Sequence, residues 1–248
     1  MQHNGAPMAT LPRSCKPRKA DDAYDELKRL IVSLRLAPGE PLDERTLMAT
    51  LNLGRTPLRE AIQRLSAEQL VTSMPRRGSY VSELSISKLG EMIAAREVLE
   101  PQVARLAVRH MTSEDIRHLR ELVQRTVIQI GNSDFEAIVY HDLEFHCAIA
   151  NASCNRYLAA AVNQINTELL RYWYISFSMG GAVSSTFAHH SHFLDVLETR
   201  DEDAVEAAML EHIDRFRERM KLIIGSGSVF PGRRAMTQLD PGLSPAAI

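Results

Sequence analysis

Residues 42–82, LDERTLMATLNLGRTPLREAIQRLSAEQLVTSMPRRGSYVS, decide the architecture of the first third of this chain. Asn52, Leu53 and Gly54 interrupt one apolar pattern. Thr56 followed by Pro57 opens the next, a hydroxyl N-cap ahead of a proline at the first helical position. The spacing predicts a helix starting near Thr56, with Leu58, Ala61, Ile62 and Leu65 on one buried stripe. Arg55, Arg59 and Gln63 fall on the other side or at its N-terminus. The helix before it is expected to start at Asp43, an N-cap, with Leu47, Met48 and Leu51 inward and Arg45 outside. Downstream, residues 70–73 and 79–82 alternate as two strands around the turn Met74-Pro75-Arg76-Arg77-Gly78.

Two short helices, a turn and a hairpin with a basic tip are the elements of a winged helix-turn-helix, in order. The second helix has the layout that reading DNA requires. Its N-terminal end would enter the major groove, where Arg55 and Arg59 can pair bidentately with guanine O6 and N7, at about 1 to 3 kcal/mol of discrimination per pair. Spare backbone N–H groups there can hold a phosphate. A helix with two arginines is commonly just a solvated face, and so is a basic hairpin tip. The conjunction carries the reading.

The motifs Pro38-Gly39-Glu40, Glu44-Arg45, Arg55-Thr56-Pro57-Leu58-Arg59-Glu60-Ala61, Leu70-Val71 and Arg76-Arg77-Gly78 resemble the DNA-binding domain of the GntR family of bacterial transcription regulators. The resemblance covers about 60 residues. It implies DNA contacts from Arg45, Arg55, Thr56, Arg59 and the wing tip at Gly78, to which the neighbouring Arg77 is added here. Two positions depart from the family pattern: Gly54 replaces a small hydroxyl residue, and Gln69 replaces a glycine near the helix end. At Gly54 only a backbone N–H remains for a phosphate.

At 248 residues the chain predicts about two domains. No apolar run approaches the roughly 20 residues of a membrane span, and no signal-peptide pattern opens the sequence, so the expectation is a cytoplasmic protein without a membrane partner. Cys15, Cys147 and Cys154 have neither zinc-finger spacing nor an even count, and read as reduced thiols. The net charge of -2 hides an asymmetry: residues 1–80 hold 13 Lys and Arg against 9 Asp and Glu, and the remainder 16 against 22. The basic part is the one with the helix-turn-helix, which fits attraction to phosphates.

The expected domains are a flexible basic arm at 1–20, the winged helix-turn-helix at 21–83, a helical domain at 84–224 and a disordered tail at 225–248. A first helix is read at 22–36 from Leu27, Leu30, Ile31 and Leu34. Beyond the wing the helices are expected at 86–109, 113–130, 133–150, 155–177 with a break allowed, 185–199 and 201–223. Ser113, Ser133 and the acidic run Asp201-Glu202-Asp203 supply start signals. The fold class is thus mainly α: an N-terminal winged helix-turn-helix followed by an all-α antiparallel bundle.

Asp142 and His146, four apart, share one helix face, while His190 and His212 belong to the last two helices. Three imidazoles and a carboxylate suit a divalent ion such as Zn, Ni or Mn. Any single histidine among nine is more commonly a surface or hydrogen-bonded core group. The sequence around Asp142-Leu143-Glu144-Phe145-His146, His190 before Leu194-Asp195, and Ala208-Met209-Leu210-Glu211-His212 resembles the FCD effector-binding domain of the FadR subgroup. That resemblance implies metal ligation by Asp142, His146, His190 and His212, with His189 and His192 as competing neighbours. It also implies that Arg96 reaches a bound effector, although a salt bridge from Arg96 to Glu100 one turn on serves equally well. Asn163, Asn166, Arg171 and Tyr172 lie on a helix able to line the same cavity.

The function implied is a ligand-responsive regulator, a repressor by family habit, acting as a homodimer on palindromic operator DNA and responding to a small carboxylate. A regulator responding to the metal alone is the nearest alternative. A metal-dependent enzyme is the other. Against it, Glu144 points about 200 degrees away from Asp142 around the helix, and no motif supplies a general base.

Overall fold

The computed structural model describes residues 19–180 and 183–225. The expected arm and tail, Lys19, Ala20 and Gly225 apart, lie outside the described residues, as does Cys15. The first unit comprises α1 (Lys19–Val32), α2 (Glu44–Thr50), α3 (Arg55–Ala67), β1 (Val71–Met74) and β2 (Gly78–Val81). Ala23, Leu27 and Ile31 of α1 are buried against Leu58, Ala61 and Leu65 of α3, closed by Leu70, Val71 and Val81 from the hairpin. Leu47 of α2 joins this core, with Met48 and Leu51 half-buried beside it.

Asp43 caps α2 by accepting from the backbone N–H groups of Arg45 and Thr46 at 2.8 and 3.0 Å. The predicted start of α3 needs correction. The helix begins at Arg55, and its N-cap is Gly54, in extended backbone with no side-chain cap bond. Thr56 is therefore inside the first turn and Pro57 is its third residue. Proline is tolerated there because first-turn N–H groups have no intrahelical acceptor. At the other end Leu70 N–H donates to Leu65 O and Gln69 N–H to Ser66 O, a Schellman closure. Gln69 sits at φ +61 in this closure, the left-handed conformation for which glycine is the usual residue.

The two strands pair antiparallel, Val71 with Val81 and Met74 with Gly78. They cover 71–74 and 78–81, one residue off the predicted 70–73 and 79–82, because the turn needs only Pro75, Arg76 and Arg77. Arg76 at φ +64 and Gly78 at φ +95 make that reversal.

The second unit comprises α4 (Ile86–Ala107), α5 (Ser113–Asn132), α6 (Phe135–Ala152), α7 (Arg156–Gly180), α8 (Val183–Glu198) and α9 (Glu202–Gly225). Helix α7 runs without a break. Two predicted caps move by one residue. Thr112, not Ser113, caps α5, in a reciprocal capping box with Asp115. Asp134, not Ser133, caps α6, while Ser133 turns the chain at φ +56. Asp201 caps α9 by accepting from the N–H groups of Asp203 and Ala204. Trp173, Phe145, Phe193, Leu119 and Leu122 fill the bundle core. Among the described residues no helix is long and apolar enough to cross a membrane.

The units meet along residues 82–85 and at Glu136 of α6, whose carboxylate takes Arg29 at 3.2 Å and Arg35 at 3.6 Å.

Candidate DNA interface and metal centre

Helix α3 presents Arg55, Thr56 and Arg59 on its exposed side, opposite the stripe that anchors it. Arg45 of α2 and Arg77 at the wing tip are exposed as well. Gly78 faces open space, so the tip admits close approach of another backbone. Most arginines of the bundle are tied to acids: Arg105 to Asp203 and Glu206, Arg109 to Glu202, Arg120 to Asp195 and Glu198. Arg45, Arg55, Arg76 and Arg77 have no carboxylate partner among the described residues. A cation left unpaired is available to a phosphate without first breaking an ion pair. Arg59 is the exception: its Nε lies 3.0 Å from both carboxylate oxygens of Glu44.

In the bundle, Asp142 and His146 from α6, His190 from α8 and His212 from α9 converge and are all buried. The three imidazoles place ligand-type nitrogens within 4.8 Å of one another. His146 Nε2 lies 3.2 Å from His212 Nε2, and His190 Nε2 lies 3.3 Å from Asp142 Oδ1. Of the sequence neighbours, His189 is half-buried and His192 is exposed. Burial first, then the nearby His146, His189 and Arg96, pushes the His190 pKa well below its ordinary value. Burial and the facing His190 and His146 do the same for His212. Both imidazoles are therefore neutral near pH 7, the form in which nitrogen lone pairs bind metal. Burial raises the Asp142 carboxyl, against the pull of His146 and Arg96. Asp142 Oδ1 and both ring nitrogens of His190 make no hydrogen bond in protein. Such orphaned polar atoms are costly when buried, and a cation among them would satisfy Asp142 Oδ1 and one nitrogen of His190 together.

Arg96 of α4 adjoins this centre with its side chain 1% exposed. It donates from Nε to Glu100 at 2.6 Å and stands with Nη2 3.4 Å from His146 Nε2. The ion pair to Glu100 foreseen as an alternative is thus formed, within reach of the histidine cluster. Glu100 in turn reaches within 3.0 Å of His146 Nδ1. Burial pushes the Glu100 carboxyl up, but the Arg96 guanidinium and His146 outweigh it and hold the pKa below the usual carboxylate range. A cleft of about 340 Å³, counting its open mouth, reaches Arg96, Asp142 and His212 between the rings of Trp173, Phe177 and Phe216. Sequence reasoning missed Glu100 as a partner of His146, and it missed Trp173 and Arg219 on the cleft wall. Glu100 alone left a signal, its i+4 spacing from Arg96.

Two family models match the chain: that of the FCD domain over residues 91–215, and that of bacterial regulatory proteins of the gntR family over residues 19–81. The chain belongs to the GntR family, with an FCD domain. Relatives include the HTH-type transcriptional repressor RspR of Escherichia coli, 28% identical over 200 residues, 81% of this chain and 88% of that protein. The Nta operon transcriptional regulator of Aminobacter aminovorans is 30% identical over 200 residues, 79% of this chain and 92% of its own. Among solved structures, E. coli McbR/YncC superposes with a TM-score of 0.72 at 21% identity, covering 84% of this chain and all of that one, which speaks for the fold. This GntR-family chain is a DNA-binding transcription regulator rather than an enzyme. Glu144, the one acid considered as a general base, is exposed and lies 3.3 Å from His118 Nε2, away from the histidine centre.

Asn163, Asn166, Arg171 and Tyr172 of α7 divide in this regulator. Arg171 donates from Nη1 to the carbonyl of Ser82, and the Tyr172 hydroxyl accepts from Ser85 N–H at 3.0 Å and donates to Ser85 O at 3.1 Å. Both serve the interdomain linker instead of the cleft. Burial brings the Arg171 pKa down to about 10, still charged near neutrality. Asn163 donates to Asn151 at 3.3 Å, whereas Asn166 is fully buried with no bond to either amide atom.

Proposed function

We propose that the chain is a ligand-responsive repressor that binds palindromic operator DNA as a homodimer, with its bundle holding a divalent metal and a small organic acid. The observation that carries this reading is the meeting of neutral, buried imidazoles with unpartnered atoms of His190 and Asp142. Asp142, His146, His190 and His212 would hold the ion, Zn, Ni or Mn by ligand type. A bound cation supplies a positive anchor for a carboxylate, and Arg96 can supply a guanidinium beside it. A dimer sets two α3 helices about one DNA turn apart, as a palindrome requires. Coupling between such sites is typically about 1 to 3 kcal/mol. A second reading, response to the metal alone, draws on the ion pair by which Glu100 already occupies Arg96.

The test is binding to a duplex that the purified protein selects from a randomised library, at fixed salt, with metal added or chelated and with a panel of small carboxylates. The expected result is a change of affinity with one class of acid only when metal is present, about 5- to 150-fold. A change with metal and none with any acid would establish the second reading. Absence of metal from the purified and metal-soaked protein by elemental analysis would overturn both.

A further inference from the structure

We propose that Glu44 is a specificity-determining residue that sets the guanidinium of Arg59 in the orientation that reads a base. This rests on α3 being the recognition helix. Glu44 is the first residue of α2, fixed there by the Asp43 cap, and it reaches Arg59 across the helix-turn-helix. Both carboxylate oxygens lie 3.0 Å from Arg59 Nε. No acceptor among the described residues engages Nη1 or Nη2, so the terminal edge of the guanidinium is the edge left facing outward. That edge carries the two parallel N–H groups that match guanine O6 and N7.

Stability does not account for the pair. The side chains are 62% and 37% exposed, and ion pairs so exposed contribute little to folding. Nor does affinity for phosphate, because a carboxylate beside the recognition helix repels the DNA backbone. What the acid supplies is direction. An arginine side chain has many rotamers, and holding Nε removes most of that freedom before the groove is reached. The repulsion falls equally on every sequence, whereas the orientation rewards only the sequence with the right base.

The experiment compares wild type, Glu44→Ala, Glu44→Gln, Arg59→Ala and the double variant Glu44→Ala/Arg59→Ala. Each binds a library-selected duplex and a scrambled duplex of equal length, over a range of salt. Circular dichroism establishes that each variant is folded. Glu44→Ala is expected to lose about ten-fold on the selected duplex and gain a few-fold on the scrambled one, so the ratio between them falls. Glu44→Gln, which keeps one oxygen for Nε, should recover part of the ratio. The double variant should lose less on the selected duplex than the two single losses combined, since the acid acts through the arginine. Equal gains by Glu44→Ala on both duplexes, or additive losses, would overturn the proposal and leave Glu44 a simple repulsive charge. An unaffected ratio in Arg59→Ala would instead overturn the placement of Arg59 on the base edge.

Discussion

Glu100 holds two groups of different purpose, the Arg96 guanidinium and the His146 ring, and all three side chains are shielded from water. Removing one member leaves another charge buried without its counter-ion. Arg96→Met is therefore expected to destabilise the metal-free protein by about 3 to 5 kcal/mol, and Arg96→Met/Glu100→Met by much less, because apolar groups of similar size then replace the whole pair. Urea unfolding of the three proteins decides it; equal losses in single and double variants would show that the ion pair is not what the site depends on. If the bundle holds the proposed metal, its affinity should also fall in Glu100→Gln, by about 10- to 100-fold, since a carboxylate 3.0 Å from Nδ1 favours the tautomer that offers Nε2 to a metal.

Helix α7 performs two tasks along one length. Trp173 and Phe177 wall the cleft, while Arg171 and Tyr172, its adjacent residues, bond the linker at Ser82 and Ser85. Under the proposed function, a ligand that moved those rings would act on the attachment of the DNA-binding unit with no intermediate element required. Tyr172→Phe deletes two hydrogen bonds to the linker backbone, about 1 kcal/mol each. It should shrink the effect of metal and acid on DNA affinity while leaving metal affinity of the bundle unchanged. An undiminished effect would remove α7 from the coupling. At this scale the sequence was informative about periodicity and poor about direction. The stripe Leu58, Ala61, Ile62 and Leu65 was legible because burial repeats at helical spacing. Helix starts were off by a residue at Thr112 and Asp134, where two capping candidates stood side by side, and by two at Gly54, where a glycine capped with its backbone alone. That Arg171 and Tyr172 leave the cleft for the linker, and that Glu44 meets Arg59, depends on how distant elements rotate against one another. No local spacing encodes that.

Charge and titration are divided between the two units. The basic excess lies before residue 81, and eight of the nine histidines lie after it, so acidification near neutrality acts on the bundle. His190 and His212 are held neutral when folded, with pKa values below the ordinary value of about 6.5 that they regain on unfolding. Below that pH the unfolded chain binds protons that the folded chain refuses, so stability falls as pH falls. Glu100 adds to the fall at lower pH. Its depressed pKa contributes stability above the unfolded carboxylate value, and that contribution is lost as pH drops through it. Asp142 opposes both: its raised pKa lets the folded chain keep a proton that the unfolded chain has released, which favours the fold on the acid side. His141 and His189, also lowered by burial, act in the same direction as His190 and His212. With four histidines against one aspartate the net sign between about pH 7 and 5.5 is loss, to which His190 and His212 contribute up to about 2.7 kcal/mol per pH unit if both count in full. Urea unfolding of the metal-free protein across that range should show the midpoint falling with pH, and His190→Phe or His212→Phe should flatten the slope, by at most about 1.4 kcal/mol per pH unit each. A midpoint independent of pH in the wild type would mean that both rings take up protons in the folded bundle, which their enclosure among cations opposes.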